Sequence, residues 1–360
     1  MHYFDHNASA PMPAAVRAAM LQALESLPGN PHSPHAAGRA AAAAVEQARE
    51  QVAAMVGRPA RQVHFTSGAT EANAWALRGL RQAARARGVI APRILASAVE
   101  HPSVRAWADL ELPVDDAGRV DLDALDAALR THAGNVACVS VMVANHETGV
   151  LQPLPEIARR CRAAGVPLHC DAAQAPGRIP LHDTALADLL TLSAHKLGGP
   201  QGVGALVGPV MPPSLLRGGA QERGARAGTV PVALVVGFGQ AASLARPMDP
   251  GPRDRLEAAA VALGATVLGQ GAPRLPNTTC LLFDVPGDLL VMALDLEGVA
   301  TSTGAACSSG AAEESHVLRA MGRRGLPVRL SLGHDQDVTP AVQALTRVLE
   351  RARAATGEEL

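Results

Sequence analysis

Between residues 62 and 208 the chain alternates short apolar runs with longer stretches in which apolar positions recur every three or four residues. "QVHFTS" (62–67) predicts a strand, and "TEANAWALRGLRQAARARG" (70–88) an amphipathic helix that ends at Gly88. A second strand, "RILAS" (93–97), precedes a capped helix, "DLDALDAALR" (121–130). The β-branched, unbroken apolar run "NVACVSVMVAN" (135–145) predicts a strand buried on both faces. Helix "LPEIARRCRAAG" (154–165) and strands "VPLHCDAA" (166–173), "DLLTLSAH" (188–195) and "GVGALVG" (202–208) continue the pattern. Such alternation predicts an α/β fold, a mostly parallel sheet flanked by helices.

The pattern changes at "ARPMDPGPRD" (245–254), which is rich in Pro, Gly and charge. Beyond it come a helix, strand "NTTCLLFDV" (277–285), helix "GDLLVMALDLEG" (287–298), strand "PVRLSLG" (327–333) and a final helix over 339–354. This predicts a smaller α+β unit. The expected division is a large domain over 16–245, with residues 1–15 and 246–360 forming a small one.

Composition narrows the class. Aromatics make up only 2 % of the chain against 48 % hydrophobic residues, so Ala, Leu and Val must fill the core. A formal net charge of -1 with interspersed signs argues against direct nucleic-acid binding. No apolar run reaches the length of a membrane span, and "MHYFDHNASAPMP" is not a basic-then-apolar leader; a soluble cytoplasmic protein is expected. Five cysteines without close pairing suit a reducing compartment, and no metal-ligand spacing occurs.

In open α/β sheets, ligands bind beyond the carboxyl ends of the strands. Five segments lie there. "TSGATE" offers the backbone N–H groups of a helix start, at Ala69 and Thr70, with the Thr70 hydroxyl; this is a phosphate cradle or an ordinary cap. "AVEHPSV" brings His101, "NHETGVLQP" Asn145, His146 and Glu147, "DAAQAPG" Asp171 and Gln174, and "AHKLGGPQG" His195 and Lys196, with Ser193 just before. A cradle, an acid, an amine and an imidazole at one sheet edge meet the needs of pyridoxal 5′-phosphate (PLP). Lysine forms the Schiff base, and the carboxylate keeps the pyridine nitrogen protonated. Lys196 is the only lysine of the chain; every other cationic side chain of that class is arginine, which cannot take its place.

With these motifs placed, the chain resembles the PLP-dependent cysteine desulfurases, class-V aminotransferase-like enzymes of fold type I. The resemblance runs from "YFDHNASAPM" through "GNPHSPHAAGR", "FTSGATEAN", "EHPSV", "NHETGVLQP", "DAAQAPGR", "LSAHKLGGPQGVGAL", "QERGARAGT", "LPNT" and "GAACSSG" to "VRLSLG". It implies Lys196 as the Schiff-base lysine and proton shuttle, Asp171 on the pyridinium, and Gln174 on the ring's phenolic oxygen. His101 would stack on the ring and act in acid–base steps. Thr70, Ser193 and His195 would hold the phosphate, joined by Thr229 from the partner subunit of a homodimer. Arg329 would clamp the carboxylate of L-cysteine.

Cys307 stands alone among Gly, Ala, Ser and Thr in "TSTGAACSSG", an unusual setting for a packing cysteine. The resemblance implies that its thiolate takes the substrate sulfur as a persulfide, on the small-domain loop that hands it on. Cys138, Cys170 and Cys280 in apolar strands, and Cys161 on a helix, read as structural.

Four departures stand out. His146 replaces the family's second Asn of Asn-Asn-Glu, so a titratable ring sits against cofactor or substrate. Ala220 follows Gly218 and Gly219, and "ASA" stands near the amino terminus for the more frequent Ala-Thr-Thr. The chain stops soon after the final helix, short of the tail through which housekeeping members meet their scaffold. An iron–sulfur scaffold, a thiolation enzyme and the acceptor of a specialised sulfur pathway are therefore all open as the destination of the sulfur. Alternatives within the fold are a selenocysteine lyase, a cystine-cleaving lyase or an aminotransferase; outside it, a weakly catalytic sulfur carrier or assembly partner.

Overall fold

The computed structural model describes residues 1–304 and 314–356. Strand β1 (His2–Tyr3) opens the chain. The strands β2 (Val63–Thr66), β3 (Arg93–Ser97), β4 (Leu110–Leu112), β5 (Val136–Ser140), β6 (Leu168–Asp171), β7 (Leu189–Ser193) and β8 (Gly204–Val207) form one seven-stranded sheet in the order β2-β8-β7-β6-β5-β3-β4. Neighbours from β4 to β7 pair in parallel, while β8 runs antiparallel to both β7 and β2. Two reversals restore direction, so β2 ends at the same sheet edge as the parallel strands. That edge receives every motif named above for the central sheet.

All residues of β5, β6, β7 and β8 are buried, as runs covered on both faces must be. The run over 135–145 is shorter as a strand than its composition predicts, because β5 stops at Ser140. The Val141 and Val143 amides still donate to His169 and Asp171, so the backbone continues beside β6 until the Asn145 side chain turns it. Helices cover the sheet. Two of them, α1 (Ala14–Ser26) and α2 (Ala36–Met55), and a third over Val232–Leu244 pack together although the apolar pattern did not single them out. Alanine favours helix strongly but contrasts weakly with its polar neighbours, so an alanine-rich helix shows little periodicity. Helix α3 (Ala69–Ala86) shows the opposite, burying Ala72, Asn73, Trp75, Ala76 and Leu77.

A second core joins Phe4 to Leu256, Leu281, Leu290, Leu330 and Leu345. It surrounds the three-stranded antiparallel sheet of β9 (Thr266–Val267), β10 (Thr278–Leu282) and β12 (Val328–Ser331), while β11 (Val299–Ala300) pairs with β1. After β1, residues 4–7 lie against β12 and run from this core toward the central sheet. Among the described residues, no helix is long and apolar enough to cross a membrane.

Candidate active site

A cavity of about 810 Å³ opens at the carboxyl edge of the central sheet. Its walls include Ala69, Thr70, His101, His146, Asp171, Gln174, Ser193, His195, Lys196 and Arg329. The fold therefore assembles ten of the sequence-predicted residues in one place. Thr229 is exposed and stands outside this cavity. Cys307 lies outside the described residues; Gly304 and Ser315, which bracket its segment, both line the cavity.

Lys196 sits on a short 3-10 turn, Ala194–Leu197, closed by Gly198 in the left-handed region at φ 86°. A side chain at Gly198 would be strained there and would also meet Pro13. Lys196 Nζ donates to the Asn7 carbonyl (2.5 Å) and the Ala8 carbonyl (3.0 Å). Gln174 Nε2 donates to the same Asn7 oxygen (3.1 Å). The amino-terminal stretch thus holds the amine in position.

At the end of β6, Asp171 is 5 % exposed. Its Oδ1 accepts from the Ala173 amide (2.9 Å) and its Oδ2 from Asn73 Nδ2 (2.7 Å). Asn73 Nδ2 also donates to Ser103 Oγ (2.9 Å), which lies 2.8 Å from His101 Nδ1. Because the Ser103 amide donates to that nitrogen as well, His101 Nδ1 is an acceptor and its ring proton belongs on Nε2. Burial lowers the His101 pKa, the Lys196 charge lowers it further, and Asp171 opposes both. Neutral His101 is therefore tied through Ser103 and Asn73 to the acid. Sequence reading missed Asn73 and Ser103. The available signal was a polar residue inside the apolar stripe of α3.

His146 meets His101 edge-on at 5.5 Å and His316 at 6.4 Å. Burial pushes its pKa well below the usual range, helped by the nearby cations, and among the described residues its Nδ1 has no hydrogen-bond partner. The ring is neutral and borders the cavity. His195 is held down to about 4 by burial, with Lys196 and Arg178 adding, so it is a neutral donor or acceptor beside Ser193. Thr70 is exposed to the cavity at the start of α3, where the first turn's N–H groups are uncommitted.

Arg329 is 2 % exposed, not a surface residue. Its Nη2 donates to Asp5 Oδ1 (2.6 Å) and its Nη1 to the His146 carbonyl (2.9 Å), while among the described residues Nε has no partner. Buried Glu147 accepts from Ser315 Oγ (2.6 Å) and packs against Gly304, which lacks a Cβ to obstruct it. The site thus offers an amine, an acid whose partners among the described residues are neutral donors, an uncommitted helix start and a guanidinium. A phosphorylated aromatic cation and an amino-acid carboxylate fit that set.

Comparison with known proteins points the same way. The family model described as aminotransferase class-V matches residues 2–339. A protein named cysteine desulfurase from Cereibacter sphaeroides is 42 % identical, over 98 % of this chain and 96 % of its own. Among solved structures, a NifS-like protein superposes with a TM-score of 0.87 at 29 % identity, covering 98 % of this chain and 99 % of its own. Another, SspA in complex with cysteine, gives 0.80 at 27 % identity, covering 92 % and 99 %.

Proposed function

Because this chain belongs to the cysteine desulfurases of the aminotransferase class-V family, we propose that its cavity holds pyridoxal 5′-phosphate on Lys196, with Asp171 against the ring nitrogen. The convergence of Lys196, Asp171 and His101 on one cavity carries this reading. When bound, the cofactor supplies an electron sink for bonds broken at the substrate's carbon skeleton.

Each side chain then has a task that its surroundings suit. Asp171, bonded only to neutral donors, keeps its negative charge for the pyridinium. Ala69, Thr70, Ser193 and His195 hold the phosphate, completed by Thr229 from a second copy of the chain, so the working form is a homodimer. Gln174 and His146 donate to the ring oxygen or the substrate. His101, neutral with its proton on Nε2, would lie beside the cofactor and relay protons, and Lys196 would return a proton to carbon.

Arg329 binds the carboxylate of L-cysteine; cysteine is also the ligand of the SspA structure. Cys307 attacks the substrate sulfur. The carbon–sulfur bond breaks, the carbon regains a proton, L-alanine leaves, and Cys307 carries the sulfur as a persulfide. A sulfur-acceptor protein, such as an iron–sulfur scaffold or a thiolation enzyme, then receives it in the cytoplasm. In this reading residues 16–245 form the cofactor domain, and residues 1–15 with 246–360 the smaller domain bearing Cys307.

The test uses purified protein loaded with PLP, L-cysteine and a thiol reductant, with alanine and sulfide counted together. Equal amounts from wild type and neither from Cys307→Ser are expected. Alanine formation that survives in Cys307→Ser would replace the persulfide route with a lyase reaction.

A further inference from the structure

Behind Gln174 and Lys196 lies one buried cation that no step of the reaction uses. Arg178 is 4 % exposed, and among the described residues no acid pairs with it. Its Nη1 donates to the Gln174 carbonyl (2.9 Å) and to Gln174 Oε1; its Nη2 donates to the carbonyls of His6 and Lys196, both at 3.3 Å. Each Nη carries two hydrogens, so all four are committed, and every acceptor is neutral.

Burying a charge without a counter-charge is costly. Burial pulls the Arg178 pKa down to about 9, with the Arg329 charge adding. Its charge also bears on His6, His195 and His334, all imidazoles, and no salt bridge to it occurs among the described residues. Apolar packing alone would be met at lower cost by methionine. The four acceptors supply the reason for an arginine, because they belong to the three segments that meet at the amine: the Gln174 turn, the Lys196 turn and the stretch whose Asn7 and Ala8 carbonyls hold Lys196 Nζ.

A glutamine amide can point either way, since its oxygen and nitrogen are alike in size. Here Arg178 claims Oε1, which leaves Nε2 on the other side, bonded to the Asn7 carbonyl and bordering the cavity. We propose that Arg178 is a positioning residue: its fork forces Gln174 to present N–H₂, not oxygen, to the cavity, and ties that amide to the Lys196 turn. The inference rests on the cofactor reading, in which Gln174 meets an anionic ring oxygen.

The experiment follows the visible absorbance of the PLP-loaded protein through a pH titration, with thermal unfolding alongside. Removing the aligned donor makes the ring oxygen a poorer anion, so the Arg178→Met midpoint moves upward by about one pH unit. Arg178→Lys has three donors but no fork and moves it less. In a Gln174→Ala background the further change to Met shifts the midpoint by less than about a third of that amount, since the route through the amide is gone. An unmoved midpoint in a folded Arg178→Met protein, or an equal shift in both backgrounds, overturns the proposal. Should Arg178→Met not fold, Arg178→Lys decides: an upward shift supports the proposal and a wild-type midpoint overturns it. Wild-type protein that takes up PLP without developing a visible band refutes the cofactor reading itself, before any variant is made.

Discussion

Asp171 and Arg329 face one cavity from two different sheets and keep opposite company. Asp171, at the end of β6, is bonded to a backbone amide and to the Asn73 amide, with no cation in salt-bridge range among the described residues. Arg329, on β12, is already paired with Asp5. One ion keeps its charge for a ligand; the other shares its charge with a permanent partner. The difference matches the ligands proposed for them. A resident ring cation has to be held tightly and in one protonation state, whereas a substrate carboxylate must arrive and leave. Pre-pairing also holds the guanidinium in place while the site awaits substrate.

Removing the uncompensated charge should do most damage. Asp171→Asn keeps the size but discards the charge, and alanine release at saturating PLP and cysteine is expected to fall by at least about 100-fold. A fall of less than about threefold would mean that Asp171 is only structural.

The paired ion should fail differently. Arg329→Met is expected to raise the KM for L-cysteine by about 10- to 100-fold. It should also lower the unfolding free energy by about 3 kcal/mol, because Asp5 is left without its partner. Steady-state kinetics and denaturant unfolding read the two effects separately. An unchanged KM would remove Arg329 from the carboxylate subsite.

Asp5→Asn sharpens the contrast. The amide keeps an acceptor for Arg329 but removes the charge that competes with the substrate, so KM should fall about two- to fivefold, with a loss of about 1 kcal/mol in stability. A KM that rises as far as in Arg329→Met would show that Asp5 is needed to hold the guanidinium at all.

A last effect, outside the pair of ions, concerns His169 on β6 and His195 on the turn after β7. Burial holds His169 down to about 4, between Ser140 Oγ and Thr191 Oγ1, and His195 is likewise at about 4. Unfolded, both titrate near 6.5. Between these values the unfolded chain binds more protons than the native one, so stability falls as the pH drops from about 6.5 toward 4. Each such histidine contributes a slope of about 1.4 kcal/mol per pH unit. Thermal melts of wild type and His169→Gln across that range should differ by one proton's slope; identical profiles would exclude His169 as a contributor.

Much of the architecture was legible because it depends on local periodicity. Six of the seven strands of the central sheet and helix α3 carry strong apolar patterns, whereas the three-residue, partly exposed β4 was not foreseen; the residues that follow the predicted strands reach one edge whatever their distance in sequence. The alanine-rich α1 and α2 were not legible, since their apolar and polar faces differ little. Asn73 was hidden for another reason: a polar residue on a buried helical face acquires a meaning only when Asp171 and Ser103 are placed beside it.

By itself the sequence determined the order of elements, the single amine at Lys196 and the set of acids, imidazoles and cations at the strand ends. Only the tertiary structure decided which charges stay open and which are shared. Asp5 and Arg329 are 324 residues apart along the chain, and Asn73 and Asp171 are 98 apart. Periodicity is a property of neighbouring residues, whereas an ion's partner is set by chain closure over such separations and by the exclusion of water around the pair.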